Sequence, residues 1–224
     1  MQTGKMDVLR VVKDVWTLPF YRPGLVAIVI IFGFVLPDML AAFFLRIFPG
    51  PPPDFMINVI SVVISLATLS ATLFVGRYAV FKLTANAVRH DDLFATTFLV
   101  SAWPLFALQF IGGLNEPGMV LSLIGFFFLF LLVPVICIEE LSGFQAAKRS
   151  AQMVWRNLLS ILLCLFSQLI AMLVAFFLME VLLRFGIPAI IAVGVFGIIV
   201  TVVTAMAIVI LPVRIYDEIR FLER

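Results

Sequence analysis

Six long apolar runs constrain this chain more than any other feature of its sequence. The hydrocarbon core of a bilayer is about 30 Å thick and takes about 20 helical residues to cross. The runs are continuous instead of apolar at every second residue, which favours helices over strands. We therefore predict an all-α fold, a polytopic membrane helical bundle that forms a single integral membrane domain over residues 1–224. The six transmembrane helices are expected at about 25–48, 56–76, 93–114, 118–138, 158–183 and 187–211.

The composition of the chain argues against a water-soluble fold. Hydrophobic residues make up 64% of the 224 residues and charged residues 12%, which is about half the charged share of a typical globular domain. The mean hydropathy is +1.22. Too few polar side chains remain to cover the surface of a soluble protein of this size, so the expected solvent is lipid.

Charge and metal-binding residue types exclude further classes of protein. The net charge is only +2 and the basic residues are dispersed, so we expect no nucleic-acid partner. His90 is the only histidine, and Cys137 and Cys164 both lie inside apolar runs. These residues fit neither a zinc site nor a disulfide framework. We expect no metal and no cofactor.

The distribution of Lys and Arg predicts how the chain is oriented. Thirteen of the 15 basic residues lie in the N-terminal segment, the second–third connection, the fourth–fifth connection and the C-terminal tail. The other two, Arg46 and Arg184, lie on the opposite side of the predicted spans. Cytoplasmic loops of membrane proteins carry the excess of Lys and Arg, so both termini are expected in the cytoplasm.

Three stretches on the basic side have the mixed pattern of amphipathic interfacial helices, at 6–21, 77–92 and 142–157. Such helices place an apolar face at the headgroup boundary, where Trp and Tyr are also favoured. The third stretch opens with the residues Ser142-Gly143-Phe144-Gln145, which fit a capping box in which the serine hydroxyl binds a backbone amide. We expect this helix to begin at Gly143.

Small and polar residues at three- and four-residue spacing predict which faces of the spans meet. Residues at this spacing share one face of a helix, and small residues let helices in lipid approach closely. We therefore expect these stripes inside the bundle; the alternative is that they line a path for a solute. The stripes are Asn58, Ser61, Ser65, Thr68 and Thr72 in the second span, Asn157, Ser160, Cys164, Ser167 and Ala171 in the fifth, and Gly194, Gly197, Thr201 and Thr204 in the sixth.

A candidate intramembrane polar site consists of Asp38, Gln168, Ser65 and Thr68. An ionised Asp near the centre of a span costs about 2.5–3.5 kcal/mol on insertion scales, so such residues face a partner or a cavity. Gln168, deep in the fifth span, is a candidate hydrogen-bond partner of Asp38. One interpretation is a residue of the external leaflet that snorkels toward the headgroups or pairs with an arginine, and the other is a site that responds to protons or cations.

A second candidate site is a charged cytoplasmic rim, where the ends of several spans are expected to meet. The fourth span ends in two carboxylates and the neighbouring spans end in basic residues, so ion pairs between them are predicted. We expect these pairs to be structural instead of catalytic. The residues of the rim are Glu139, Glu140, Arg77, Lys148, Arg149, Arg156 and Arg214.

Two motifs resemble a known family. The first runs from Pro134 to Glu139, continues with Ser142 and Ala-Ala-Lys-Arg-Ser at 146–150, and leads into the fifth span. The second is Tyr-Asp-Glu-Ile-Arg at 216–220. The pattern resembles the bacterial six-span family known as the glycerophosphoryl diester phosphodiesterase membrane domain. The resemblance implies a six-span protein of the bacterial inner membrane.

The resemblance does not imply an enzymatic activity. In fused members of that family, catalysis belongs to a separate domain that contains a His-Arg-Gly metal-site motif. The only histidine of this chain, His90, is followed by Asp91, so that motif is missing from the sequence. The stand-alone relatives have no settled function to carry over.

The leading functional interpretation is a non-enzymatic membrane scaffold or accessory protein whose basic rim contacts lipid headgroups or a partner protein. Nucleophilic catalysis needs an adjacent base or a metal, and no such constellation stands in the sequence. Membrane lipids are the expected partners, and a homo-oligomer is a further option. The alternative is a small transporter or channel component with a polar path through Asp38 and the hydroxyl stripe of the second span.

Overall fold

The computed structural model describes residues 6–37, 39, 42–43, 54–84, 101–112 and 116–223. All regular elements in these residues are helical, which confirms the prediction of an all-α fold. The helices are, in chain order, α1 (Val8–Tyr21), α2 (Pro23–Ile30), α3 (Asp54–Leu83), α4 (Trp103–Gly112), α5 (Glu116–Phe128), α6 (Leu132–Glu139), α7 (Gly143–Arg156), α8 (Leu158–Arg184), α9 (Ala189–Ala205) and α10 (Leu211–Leu222).

Three helical stretches are long and apolar enough to cross a membrane: Leu66–Leu83 within α3, the whole of α8, and Ala189–Leu222. α8 alone has 27 residues, which corresponds to about 40 Å at a rise of 1.5 Å per residue. This exceeds the thickness of a hydrocarbon core. Two bent helix pairs raise the number of candidate spans to 5 if each pair is one span. The described residues therefore form a helical membrane protein.

The fourth and fifth predicted spans differ in how regular they are. α8 begins at the predicted residue and ends one residue later than predicted. The fourth span is interrupted: α5 ends at Phe128, α6 begins at Leu132, and the two helices bend by 41°. Part of the first predicted span, from 44 to 48, and residues 85–100 of the third region lie outside the described residues.

Two predicted ends are wrong, because a basic residue does not stop a helix. α3 does not end at residue 76 but continues through Arg77 to Leu83. The first residues of the stretch 77–92 therefore belong to this long helix and do not start a separate interfacial one. The helix of the sixth span also continues past residue 211, because α9 leads through a π-helical segment, Met206–Ile210, into α10, which ends at Leu222.

The N-terminal helix α1 forms because its apolar residues fall on one face. Val11, Val15 and Leu18 are buried, and their spacing of three and four residues aligns them along the helix. The side chain of Asp7 accepts a hydrogen bond of 3.1 Å from the backbone amide of Arg10, which satisfies one of the unpaired amides at the helix start.

The chain turns by 94° between α1 and α2. Arg22 stands at the corner, and Pro23 takes the first position of α2, where its missing amide costs nothing. α1 packs against α8 and α10, whereas α2 packs against α3 and α9. The corner therefore marks the change from a helix on the end of the bundle to one that enters it.

The apolar core lies at the end of the bundle where α1, α6, α7 and α10 meet, and this end is called the charged end below. Its fully buried side chains include Val15 of α1, Ile136 of α6, Met153 of α7, and Ile215 and Tyr216 of α10. Away from this end, α8 and α9 pack together as a helical hairpin. Their outer faces carry exposed apolar side chains such as Phe177 (66%) and Ile190 (83%), as expected for helices that face hydrocarbon.

In the sixth span, the prediction of an interior face is wrong for the two glycines of the stripe, which are exposed in the described structure, whereas Thr201 and Thr204 are half-buried. No atom of the described structure lies within 4 Å of a Cβ built on Gly194 or Gly197. Thr201 donates its hydroxyl to the carbonyl of Gly197 at 2.8 Å, within the same helix. The spacing places these residues on one face, but it does not determine what that face meets. The buried residues of α9 are Ala192, Val203 and Ala205.

The stripes of the other two spans lie closer to the interior where they are described. In α8, Cys164 is buried and Ser160 is half-buried. In α3, the hydroxyl of Thr72 lies 2.9 Å from the carbonyl of Thr68 and 3.4 Å from that of Gly33. Gly33 belongs to the π-helical segment Ile31–Val35 that follows α2, so Thr72 links α3 to this segment. The side chains of Asn58, Ser61 and Ser65 lie outside the described residues.

α7 begins at Gly143 as predicted, but the predicted capping box is wrong. The side chain of Ser142 makes no capping hydrogen bond. Its backbone carbonyl instead accepts from the amides of Gln145 at 3.1 Å and Ala146 at 3.4 Å. Gly143 has a φ of +52°, and a Cβ at this position would stand 2.8 Å from the indole Nε1 of Trp103. Both facts require glycine here.

Gly143→Ala should destabilise the protein more than Gly186→Ala. Both glycines have a positive φ, which costs an L-residue about 1–2 kcal/mol. Gly186 has no atom within 4 Å of a Cβ position, so only Gly143→Ala adds a steric conflict with Trp103. The free energy of unfolding of both variants in mixed micelles, measured by titration with a denaturing detergent, checks this. Equal losses would show that Trp103 does not restrict the position.

Candidate functional site at the charged end of the bundle

The end of α6 positions the central carboxylate of the site. Glu140 has a φ of +55° and ends the helix in the left-handed region, while its own side chain is exposed. Glu139, the last residue of α6, turns instead toward α7. Its carboxylate oxygens lie 3.0 Å and 3.3 Å from Nε of Arg149.

Arg149 joins three helices through its guanidinium group. Besides Glu139, it binds Glu223 just beyond α10, with Nη2 2.7 Å from Oε2. Burial alone would lower the pKa of Arg149, but the hydrogen bonds to both carboxylates raise it above its ordinary value. A guanidinium whose N–H groups face two acceptors suits this geometry better than a lysine ammonium would, because its donors are fixed in a planar fork.

Tyr216 completes this group of side chains, which we call the Glu139 cluster (Glu139, Arg149, Tyr216 and Glu223). The tyrosine ring is fully buried, and its hydroxyl donates to Oε1 of Glu139 at 3.0 Å. Glu139 and Tyr216 are 77 residues apart in the chain. The cluster therefore fixes α10 against α6 and α7 through charge-assisted hydrogen bonds, which are stronger than neutral ones.

A weaker contact ties α1 to the same end. Arg10 lies 3.7 Å from Glu218 of α10, and its side chain is 61% exposed. An ion pair this exposed contributes little stability, about 0–1 kcal/mol. It nevertheless shows that the first and last described helices meet at one end of the bundle.

The other residues of the predicted rim lie around this cluster with different exposures. Lys148 and Arg156 are exposed, whereas Arg77 and Arg214 are half-buried. Nε of Arg214 is buried without a hydrogen-bond partner among the described atoms. Ion pairs between the carboxylates and the basic residues of the rim were predicted, and the pair of Glu139 and Arg149 is one of them. Tyr216, which binds Glu139, and Glu223, which binds Arg149, were not named in the predicted rim.

The candidate intramembrane polar site is described only in part. Asp38 and the side chain of Ser65 lie outside the described residues. Thr68 donates its hydroxyl to a carbonyl of its own helix at 2.9 Å. Gln168 is buried, with its Nε2 3.4 Å from the hydroxyl of Ser167. Its Oε1 has no hydrogen-bond partner among the described atoms, so the described part of this site offers one unpaired oxygen.

The described part of the chain offers no candidate metal site and no candidate catalytic group. Within it, no group of three or more His, Cys, Asp or Glu residues could hold a metal ion. The carboxylate of the Glu139 cluster is bound by a guanidinium and a phenol. What this arrangement does chemically is hold helices together.

Comparison with protein-family models, with curated proteins and with solved structures gives no match. The resemblance to the glycerophosphoryl diester phosphodiesterase membrane domain therefore stays a prediction. Among the residues that carry that resemblance, Glu139 binds both Arg149 and Tyr216 in the structure. Their direct contact gives the two motifs a shared physical role at the charged end.

Tyr216→Phe should destabilise the protein, because it keeps the buried ring and removes only the hydroxyl that binds Glu139. A hydrogen bond to a charged group contributes about 1.5–3 kcal/mol, and we expect a loss near the lower value because Glu139 is 21% exposed. Denaturant titration in micelles measures the change. Tyr21→Phe is the matched control, since Tyr21 is 81% exposed. Similar stability of the two variants would contradict the role of the hydroxyl.

Proposed function

We propose that this chain is a non-enzymatic integral membrane protein whose charged end faces the cytoplasm and contacts anionic lipid headgroups. In this proposal the membrane is the bacterial inner membrane, the chain crosses it six times, and both termini are cytoplasmic. The observation that carries the proposal is the outer face of α7. It presents basic and aromatic side chains together, while the carboxylates of Glu139 and Glu223 are bound to Arg149.

The outer face of α7 has the chemistry of a helix at a headgroup boundary. Phe144, Lys148 and Trp155 fall within about 40° of one another on a helix with 3.6 residues per turn. Phe144 and Trp155 are 74% and 68% exposed, and Lys148 is exposed between them. The opposite face, which includes Ala146 and Met153, is buried. Aromatic rings at the level of the headgroups and a lysine that reaches phosphate are typical of interfacial helices.

α1 presents a similar outer surface next to the bundle. Leu9, Phe20 and Tyr21 are each more than 80% exposed, although they belong to a helix whose other face is buried. Water would be a poor solvent for such a surface, whereas the boundary between headgroups and acyl chains suits it. Two amphipathic helices at the same end support a lipid-facing layer there.

The charges favour lipid at the charged end over the other end of α8. Glu139 and Glu223 are both bound to Arg149, so Lys148 and Arg156 of the same helix point outward without a carboxylate partner in the described structure. At the far end of α8, Arg184 is paired with Glu180 at 2.7 Å. Each unpaired basic residue near an anionic surface contributes about 1 kcal/mol.

Replacing Lys148 and Arg156 by Gln should lower the preference of the protein for anionic lipid. The protein is reconstituted into phosphatidylcholine vesicles, and spin-labelled phosphatidylglycerol and phosphatidylcholine are compared by their immobilised fractions. We expect the preference for phosphatidylglycerol to fall by up to about 30-fold, since two charges of about 1 kcal/mol each are removed. Arg149 stays unchanged because it holds the Glu139 cluster together.

Arg184→Gln is the control for this measurement, since it removes a positive charge at the opposite end. It should leave the preference close to that of the wild type. High salt should weaken the wild-type preference, because exposed charges are screened. An unchanged preference in the double variant would contradict the proposed function, as would an equal loss in the control.

A further inference from the structure

Two basic residues, Arg22 and Lys82, lie at the corner between α1 and α2, away from the Glu139 cluster. The guanidinium Nη1 of Arg22 donates to the backbone carbonyl of Lys82 in the last turn of α3. This contact covers one of the carbonyls that a helix leaves unpaired at its end. It also brings the charge of Arg22 to the turn from which the Lys82 side chain projects.

The ammonium of Lys82 is placed by two aromatic rings. Its Nζ lies 5.6 Å from the ring centre of Tyr78 and 5.2 Å from that of Phe81. Both distances fall within the range of cation–π attraction. The ammonium is therefore held near the helix surface, and Lys82 remains exposed.

The backbone of this corner is fixed by both helices. The amide of Arg22 donates to the carbonyl of Leu18 at 2.8 Å, and the carbonyl of Arg22 accepts from Leu25 at 3.1 Å and Val26 at 3.3 Å. The position of the arginine is thus set before any ligand binds. A preorganised site loses less entropy on binding than a mobile one.

Neither cation is neutralised by the protein in the part of the chain that the structure describes. The ion pairs there involve Arg10, Arg149 and Arg184, and none involves Arg22 or Lys82. The carbonyl contact uses one of the five N–H donors of a guanidinium, which leaves the others for a ligand. Two positive charges near the same helix end attract an anion.

We propose that Arg22 and Lys82 form a discrete binding site for the phosphate of an anionic membrane lipid. The arginine offers paired donors to the phosphate oxygens, and the lysine adds a point charge. Tyr21, next to Arg22 in the chain, has an exposed ring, and aromatic rings are favoured at the headgroup level. The proposal rests on the proposed function only in that it puts this corner at the headgroup level. It names a fixed site for one lipid, separate from the outer face of α7.

Lys82→Gln tests this site with the corner intact, because the Lys82 side chain makes no hydrogen bond to the described residues and its backbone carbonyl is kept. The full-length protein in zwitterionic micelles is titrated with dioleoylphosphatidylglycerol, and bound lipid is counted by native mass spectrometry. We expect one retained lipid in the wild type and about five-fold weaker binding in the variant, the loss of one basic residue near a phosphate. Arg22→Gln should weaken binding at least as much.

Lys13→Gln is the matched control, since Lys13 is also exposed and lies on α1, away from the corner. It should keep the tight lipid. Equal losses in Lys13→Gln and Lys82→Gln would overturn the site, as would equal retention of phosphatidylcholine by the wild type. Displacement of the lipid by millimolar inorganic phosphate would overturn the assignment to a lipid. The vesicle measurement on the Lys148 and Arg156 variant tests the outer face of α7, whereas the lipid count tests Arg22 and Lys82. Either proposal can therefore fail without the other.

Discussion

Hydrocarbon gives apolar helices little reason to associate, because lipid chains solvate their side chains as well as other helices do. In the described residues, the ion pairs that join different helices gather at one end of the bundle. Glu139 accepts from Arg149 and Tyr216, and Arg149 also binds Glu223. These bonds join α6, α7 and the end of α10, and buried residues such as Ile136 and Ile215 fill the space around them.

This arrangement divides the charged groups by role. Both carboxylates of the Glu139 cluster are bound to Arg149, so the charged side chains on the outer face of α7 are basic. The corner at Arg22, at the C-terminal end of α1, is also basic. The Arg22 guanidinium caps α3, and no carboxylate in the described structure compensates its charge. The ion pairs within this end leave basic side chains on its surface, and anionic headgroups favour a positive surface.

Much of the fold follows from local sequence, and the errors have physical causes. The bounds of α8 were predicted closely, because a continuous apolar run is bounded by polar residues at both ends. The end of α3 was not predicted correctly, because Arg77 is a good helix former and the side chain of Lys82 can extend from the helix toward the headgroups. Gly194 and Gly197 share a face as predicted, but spacing cannot tell lipid from a neighbouring helix. The link from Glu139 to Tyr216 spans 77 residues, a separation that no local pattern encodes.

The central claim is that the charged end, with both terminal helices, faces the cytoplasm. The contact of Arg10 with Glu218 places the first and last described helices together, so both termini should share one side. The direct measurement fuses to each terminus, in turn, a reporter enzyme that is active only outside the cytoplasm. The account predicts no activity from either fusion. Activity from both would reverse the orientation, and activity from only one would contradict the shared end itself.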